Sequence, residues 1–378
     1  MKVAIEGTPF FRVRTGIDHY TVNLVRELVA LDPGTGYTVI GYRGDGAKPR
    51  PLPPAENLSY RFAEWLPKRY LDAFSARLFV PPLDLLAGVR PDVMLFPNYI
   101  ASPLVWTRRS IVVIYDLSFV YHPEYVDPGN ARFLRRVVKR AAATAGHVVT
   151  ISEHSRREIL ECYGLPESKV SVVYPGVDRG RFRPLSPERR AAVVERFGID
   201  RPYVLFTGTL EPRKNILGLL RAYAHLPADL RDAHALVIAG GKGWLDREIT
   251  EGLAELERSG ARVIRTGYVD DEDMPALFGG ASVFVFPSFY EGFGIPPLEA
   301  MACGTPVIAS RASSLPEVVG EAAELVDPHD VTSIADALER VLRDPERRRE
   351  LSAAGQARAG RFDWSSEAGK LRELVHRS

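Results

Sequence analysis

Short apolar runs alternate along this chain with turns and with stretches whose apolar positions recur every three or four residues. The runs fit buried strands and the recurring stretches fit helices that cover them. In the first half, residues 3–6, 37–42, 93–97, 111–115 and 147–151 read as strands. Residues 16–30, 130–144 and 155–163 read as helices, the last ended by Gly164 and Pro166. A second alternation begins near Tyr203, with strands at 203–208, 235–239, 262–266, 282–287, 306–310 and 323–326. Its helices include 216–225, 274–278, 297–302 and 332–342. Strand–helix alternation of this kind predicts an α/β chain whose parallel sheets are sandwiched by helices.

Two such alternations predict two domains, over residues 1–175 and 201–361. Between them YPGVDRGRFRPLSPERR, residues 174–190, is rich in Pro, Gly and Arg and has no apolar period. Residues 176–200 therefore read as a linker. Open α/β sheets bind ligands at the carboxyl ends of their strands. Two such edges facing each other would form a cleft, so the residues at strand ends are the ones to examine.

Composition narrows the function classes. The 378 residues are 46% hydrophobic and 26% charged, an ordinary globular mixture. Lys and Arg number 49 against 48 Asp and Glu, which excludes a protein that coats nucleic acid by bulk charge. The two cysteines, Cys162 and Cys303, make neither a disulfide framework nor a zinc site, and fit a reducing, cytoplasmic setting. Neither a signal peptide nor a run of about 20 apolar residues is expected.

The most informative segment is FPSFYEGFGIPPLEAMACGTPVIAS, residues 286–310. A strand ends at Pro287, a loop follows with Glu291, Gly292, Phe293 and Gly294, and Pro296 and Pro297 suit the start of a helix. Glycines allow close approach of backbone N–H groups, and a helix N-terminus favours an anion. The loop is suited to phosphate or sugar oxygens. Glu299 is expected in the first helical turn, where its carboxylate could accept both hydroxyls of a ribose or simply face the helix dipole.

Glu291 and Glu299 form an E-x7-E pair within EGFGIPPLEAMACGTPV, which resembles the donor-site signature of retaining family 4 glycosyltransferases of the GT-B architecture. The resemblance extends along nearly the whole chain. It runs through RTGIDHY (14–20), TISEHSRREI (150–159), VVYPGVD (172–178), GTLEPRKN (208–215) and GYVDDEDMPALFGGASVFVFPS (267–288). FDWSSEAGKLREL (362–374) resembles the helix that crosses back to the first domain, here residues 362–378. The resemblance implies two Rossmann-like domains facing across a cleft, the first for an acceptor and the second for a nucleotide-sugar donor. It implies transfer of a hexose onto a hydroxyl of a glycan or lipid-linked acceptor. The wording GTLEPRKN with YPGVD leans toward mannosyltransferase-like members, and so toward GDP-mannose over UDP-linked donors.

Such a transfer expels a diphosphate, so cations placed at its β-phosphate would stabilise the transition state. Arg213 and Lys214, at a strand's end just ahead of a helix, suit that role, since Arg offers a fork and Lys a point charge. With a helix N-terminus they could take the place of a metal ion, and no metal or cofactor is expected. DED at 271–273 reads as capping and first-turn carboxylates of a helix rather than as metal ligands. The amide of Gly16 is a further candidate for the diphosphate. Where the family carries a histidine before an aspartate, this chain has Tyr115 before Asp116, with His122 six residues on. Tyr115 could hydrogen-bond the sugar or pack the wall. Asp116 could orient the acceptor hydroxyl or take its proton, and Glu291 lies near the sugar hydroxyls by resemblance. Acceptor binding is expected from residues 62–86 and from ARFLRRVVKR (131–140), a basic helix that suits peripheral contact with the inner membrane face. The rival activities are a nucleotide-sugar 2-epimerase of the same architecture and a catalytically weak nucleotide-sugar-binding relative.

Overall fold

The computed structural model describes residues 1–10, 16–42, 52–63, 82–107, 109–241 and 247–377. The chain divides into two compact units: Met1–Gly176 with Asp363–Ser378, and Val177–Phe362.

The first unit holds seven strands: β1 (Lys2–Glu6), β2 (Gly36–Tyr42), β3 (Leu58–Ala63), β4 (Val93–Phe96), β5 (Ser110–Val113), β6 (His147–Thr150) and β7 (Val170–Val172). They pair in the order β3-β2-β1-β4-β5-β6-β7, every pair parallel. Residues of β4 and β5 are buried throughout, as a parallel sheet covered on both faces requires. One face packs Met94, Phe96, Val112 and Ile114 against Ala131, Val137, Val138 and Ala141 of the helix Pro128–Thr144. The helix Gly16–Leu31 packs against the terminal helix Trp364–His376. The terminal helix is tied in by Arg109, whose guanidinium donates to the carbonyls of Val375 (2.8 Å) and Arg377 (2.6 Å). Its buried Glu367 accepts from the amide of Tyr174 at 2.9 Å.

The second unit holds β8 (Tyr203–Thr207), β9 (Ala235–Ala239), β10 (Val263–Gly267), β11 (Val283–Phe286), β12 (Val307–Ser310) and β13 (Glu324–Val326). Their order is β10-β9-β8-β11-β12-β13, again all parallel. The stretch expected as a linker is otherwise placed. From Val177 it belongs to this second unit, and it contains a helix, Pro187–Arg196, that packs against the helix Met274–Gly280. Ser186 starts it by accepting from the Arg189 amide at 3.4 Å. No residue of that helix is fully buried, which is why its sequence shows no apolar period.

In each sheet the strand order reverses once, between β1 and β4 and between β8 and β11. Ligands of open α/β sheets enter at the carboxyl ends of the strands beside such a reversal. That rule selects the loops after Glu6 and Phe96 in one unit, and those after Thr207 and Phe286 in the other. An open groove of about 370 Å³ lies elsewhere, around Pro187, Val194, Ile199 and Tyr203, at the amino end of β8.

Candidate active site

In the second unit the reversal point carries an ion cluster. The turn Pro212–Lys214 follows β8, and the loop carrying Glu291 follows β11. Glu291 is buried, at 7% exposure. Its Oε1 accepts from Lys214 Nζ at 2.6 Å and its Oε2 from Arg213 Nη1 at 2.7 Å. Burial pushes the Glu291 carboxyl up, but Arg213 and Lys214 outweigh it and hold the group down at about 2. Burial depresses the Lys214 ammonium, Glu291 opposes that shift, and Arg213 adds to it. Lys214 also lies 4.8 Å from the centroid of the Phe286 ring.

The Arg213 fork, expected to face a diphosphate, is occupied within the protein. Its Nε and Nη2 donate to Oε1 of the buried Glu211, at 3.1 and 2.7 Å, and its Nη1 also donates to the Tyr290 carbonyl at 2.8 Å. A guanidinium so engaged braces the cluster, and Lys214 is the cation of the pair with fewer protein acceptors. Asn215, which the sequence pattern passes over, sets the turn. It stands in the left-handed region (φ 54°), where Asn is tolerated, and its Oδ1 accepts from the Gly218 amide at 3.2 Å. Its Nδ2 donates to the carbonyls of Pro287 (3.1 Å) and Pro328 (2.7 Å), which ties the β8 turn to the end of β11.

The Glu291 loop is stitched by serines at the end of β12 and just beyond it. The Glu291 amide donates to Ser313 Oγ at 2.8 Å. Ser314 Oγ shares its proton between the carbonyls of Glu291 (2.8 Å) and Phe293 (2.9 Å). Ser310 Oγ donates to the Ser288 carbonyl at 2.6 Å. None of these serines has a local sequence signal, because each acts across more than 20 residues. Phe293, expected to touch the donor, is instead core: it is 2% exposed and meets Phe362 edge-on at 5.6 Å. Gly292 is buried beside it. Gly294 has φ 110°, a backbone conformation that favours glycine, and a Cβ there would come within 2.5 Å of the Leu315 Cδ2 methyl, which would have to shift.

The helix Ile295–Ala302, with Gly294 before it, starts two residues earlier than the sequence suggests, so Glu299 is its fifth residue, just past the first turn. The two prolines remove two of the first amide donors, and the N–H groups of Gly294 and Ile295 remain at this terminus. Glu299 is half-buried. Burial raises its carboxyl to about 7; Arg181 opposes that, while Asp271 and Asp178 add to it. Of the DED carboxylates, Asp273 stands at the N-cap of the helix Met274–Gly280 without a side-chain cap and lies 2.6 Å from Arg196, while Asp271 lies 3.6 Å from Arg181. Among the described residues no group of three or more His, Cys, Asp or Glu side chains could hold a metal ion. In the segment AGGKG (239–243) at the end of β9, Gly240 lets β8 and β9 close up, since a Cβ there would sit 1.9 Å from the Gly208 carbonyl oxygen. Lys242 and Gly243 lie outside the described residues.

In the first unit, Tyr115 and Asp116 do stand just beyond β5, but Tyr115 turns inward. It is 4% exposed, packed edge-on to Tyr20 at 5.5 Å and tilted to Tyr99 at 5.4 Å. Its hydroxyl donates to the Pro97 carbonyl at 2.6 Å, so the Thr21 hydroxyl 3.2 Å away is the donor to it. Burial raises the phenol, the Thr21 contact opposes the rise, and Asp18 adds to it. The catalytic place considered for Tyr115 therefore becomes a packing place, because its hydrogen-bonding capacity is taken by the protein. Tyr115→Phe is expected to lower stability by about 1 kcal/mol, one hydrogen bond's worth, and to leave kcat/KM within about twofold. Thermal melts and initial rates on the same preparation check it, and a tenfold rate loss would return the hydroxyl to the reaction.

Asp116 is half-buried, and its Oδ1 accepts from the Ser118 amide at 3.0 Å. His122 lies beyond the helix Ser118–Tyr121, with Nδ1 3.2 Å from Glu124 and its ring stacked on Tyr125. Gly16 opens its helix, is exposed, and has open space where a Cβ would go. Residues 11–15 and 64–81, which include the start of RTGIDHY and most of the 62–86 segment, lie outside the described residues.

Known families match both units of the chain. The family described as "Glycosyltransferase Family 4" matches residues 14–181, and "Glycosyl transferases group 1" matches residues 190–358. The O-antigen chain mannosyltransferase B of Escherichia coli is 37% identical, over 97% of this chain and 97% of its own. A GDP-mannose-dependent alpha-(1-6)-phosphatidylinositol monomannoside mannosyltransferase of Mycolicibacterium smegmatis is 34% identical over 64% of this chain and 65% of its own. Among solved structures, sucrose-phosphate synthase of Thermosynechococcus elongatus superposes with TM-score 0.75 at 22% identity, covering 99% of this chain and 98% of its own. WaaG, a glycosyltransferase involved in lipopolysaccharide biosynthesis, does so with TM-score 0.74 at 15% identity, covering all of both chains. These relatives give the epimerase alternative no support. With mannosyltransferase homology along its length and two parallel-sheet units of the GT-B type, this chain belongs to the family 4, group 1 glycosyltransferases.

Proposed function

We propose that this glycosyltransferase moves a mannosyl group from GDP-mannose, with retention and without a metal ion, onto a glycan or lipid-linked hydroxyl at the cytoplasmic membrane face. The observation that carries the reading is the Lys214–Glu291–Arg213 cluster at the β8/β11 reversal, in a chain 37% identical to a mannosyltransferase. GDP as carrier is favoured by the name of the 34% identical relative. The two free cysteines suit a reducing compartment, and no described helix is long and apolar enough to cross a membrane.

In this reading Lys214 faces the β-phosphate and neutralises the charge that grows as its bond to the anomeric carbon breaks. Glu291, kept ionised by its two cations, accepts hydrogen bonds from hydroxyls of the transferring sugar. The acceptor oxygen forms its bond on the face the diphosphate leaves, and the departing phosphate takes the acceptor's proton. Asp116, at a strand end of the first unit, orients the acceptor hydroxyl, and the Gly16, Gly292 and Gly294 amides are candidates for donor oxygens. Incubating the chain with GDP-mannose or UDP-sugars and candidate acceptors, with and without chelator, tests this by mass spectrometry and product NMR. An α-mannoside formed equally in excess chelator is the expected result. A product only from UDP-sugars, an inverted linkage, or complete loss on chelation overturns the corresponding part.

Glu299 is assigned to the ribose, which makes donor binding pH-dependent. The raised carboxyl, near 7, is partly protonated in the free enzyme at neutrality. Two ribose hydroxyls donate to it only as a carboxylate, so donor affinity should rise with pH through about 7 and binding should release protons. The sign for stability is opposite: a raised acid favours the fold below 4.5 and loses that advantage as pH rises through 7. Calorimetry in buffers of different ionisation enthalpy reads the released proton. Glu299→Gln should abolish it, and its persistence in that variant would assign the proton to another group.

A further inference from the structure

Among the described residues, three other than glycine have positive φ: Asn215, Ser313 and Tyr99. The first two set the loops of the ion cluster in the second unit. Asn215 ties the β8 turn to the end of β11, and Ser313 accepts from the Glu291 amide. Tyr99 (φ 53°) stands in the first unit, three residues past the end of β4, the strand beside the reversal. A bulky aromatic in the left-handed region is strained. Such strain persists only where the surroundings hold it, and it gathers at ligand sites.

What the strain holds in place is Asn98. The Ile100 amide donates to the Asn98 carbonyl at 2.5 Å, which closes a γ-turn around Tyr99, and a γ-turn with positive φ is rare. Both flanks of Asn98 are pinned to the end of β5. The Pro97 carbonyl accepts from the Tyr115 hydroxyl at 2.6 Å, and the Tyr99 amide donates to the Val113 carbonyl at 2.9 Å. The Tyr99 ring packs against Tyr115 and Phe119, with centroids 5.4 and 6.1 Å away. Asn98 itself is half-buried, and among the described residues nothing hydrogen-bonds its side-chain amide. The turn thus fixes a carboxamide that the described protein does not use. Strands β4 and β5 are neighbours, so Asn98 and Asp116 stand at adjacent strand ends. Asp116 Oδ1 accepts from the Ser118 amide, and its Oδ2 has no partner among the described residues. An ionised carboxylate only accepts, whereas a carboxamide both donates and accepts. Neighbouring hydroxyls of a sugar ring each do both, so one can lie on each residue.

We propose that Asn98 reads an acceptor-sugar hydroxyl next to the one that Asp116 orients, so that the first unit selects its acceptor by the hydroxyl beside the point of attachment. The proposal rests on the reading of Asp116 as the acceptor-side residue. Its probes are methyl α-mannopyranoside and the four monodeoxy analogues of that sugar, given to the full chain. Binding is read by NMR saturation transfer, and transfer from GDP-mannose by initial rates. Asn98→Ala should weaken binding of the parent sugar, and lower its kcat/KM, by about tenfold, the worth of two neutral hydrogen bonds. One analogue that keeps the attachment hydroxyl should be about tenfold worse than the parent for the wild type, and no worse than the parent for Asn98→Ala. Asn98→Asp keeps an acceptor but no donor and should fall between. GDP affinity, read by calorimetry, should stay unchanged in both variants. A purely structural Asn98 would lower all five sugars alike and leave the deoxy penalty in place, and that result overturns the proposal. So does an Asn98→Ala chain that binds the parent sugar like the wild type, or a wild type that binds none of the five. Sugar binding lost in Asn98→Ala, with no transfer from GDP-mannose by the wild type, would uphold the subsite and fail the donor reading alone.

Discussion

Lys214→Ala should lower kcat/KM by on the order of 10²–10³, the usual effect of removing one preorganised donor from a site of developing negative charge. Two features support so large a value. The ammonium is held in place before any ligand arrives, by Glu291 at 2.6 Å and by the Phe286 ring. It is also largely withdrawn from water, where a charge acts through a lower dielectric. Stability should change much less, because Glu291 keeps its bond from Arg213. Arg213→Ala behaves differently: it strips the buried Glu211 of its ion-pair partner, so it should unfold the turn as well as slow the reaction. Rates and melts for the two single variants separate these roles. Lys214→Ala with wild-type kcat/KM would remove the lysine from the mechanism. Arg213→Ala with wild-type stability would return its fork to the donor phosphates.

Much of the architecture is legible in the sequence because parallel strands buried on both faces must be nearly continuous apolar runs. The two strands the pattern passes over, β3 (LSYRFA) and β7 (VSV), are both sheet edges, where one flank meets solvent and the apolar signal thins. The site is legible in a different way. Lys214 and Glu291 stand out because glycines, prolines and charges crowd strand ends, which the core alone would not demand. Their supports are invisible for the opposite reason. Asn215, Ser313 and Ser314 are ordinary polar residues whose value depends on carbonyls and amides brought near by folding. Tyr115 shows the reverse error: at a strand end it looks exposed and available, and only the tertiary position of Pro97 shows where its hydroxyl points.

Glu291 carries the second large effect, because one carboxylate serves two cations. Glu291→Gln keeps the shape but leaves Lys214, at 12% side-chain exposure, without its anion, and leaves Arg213, at 20%, with Glu211 alone. Removing one partner of a buried pair costs about 3–5 kcal/mol. The depressed carboxyl gives a consistent figure: a fall from 4.5 to about 2 corresponds to roughly 3 kcal/mol. The sign follows from the depression. The folded group titrates below its unfolded value, so its contribution is complete above 4.5 and is lost as pH falls toward 2. Wild-type stability should therefore drop over that acid range, and Glu291→Gln should start lower and show a flatter acid limb. Turnover should fall as well, by about 10² or more, since the ammonium loses its fixed position and the sugar loses an anionic acceptor. A double-mutant cycle with Lys214→Ala distinguishes coupling from separate roles. If Glu291 acts through the lysine, the double variant should be little worse than the poorer single one. Strict additivity of the rate losses would show that Glu291 and Lys214 act independently, and a Glu291→Gln chain with an unaltered acid limb would show that this ion cluster does not hold the loop.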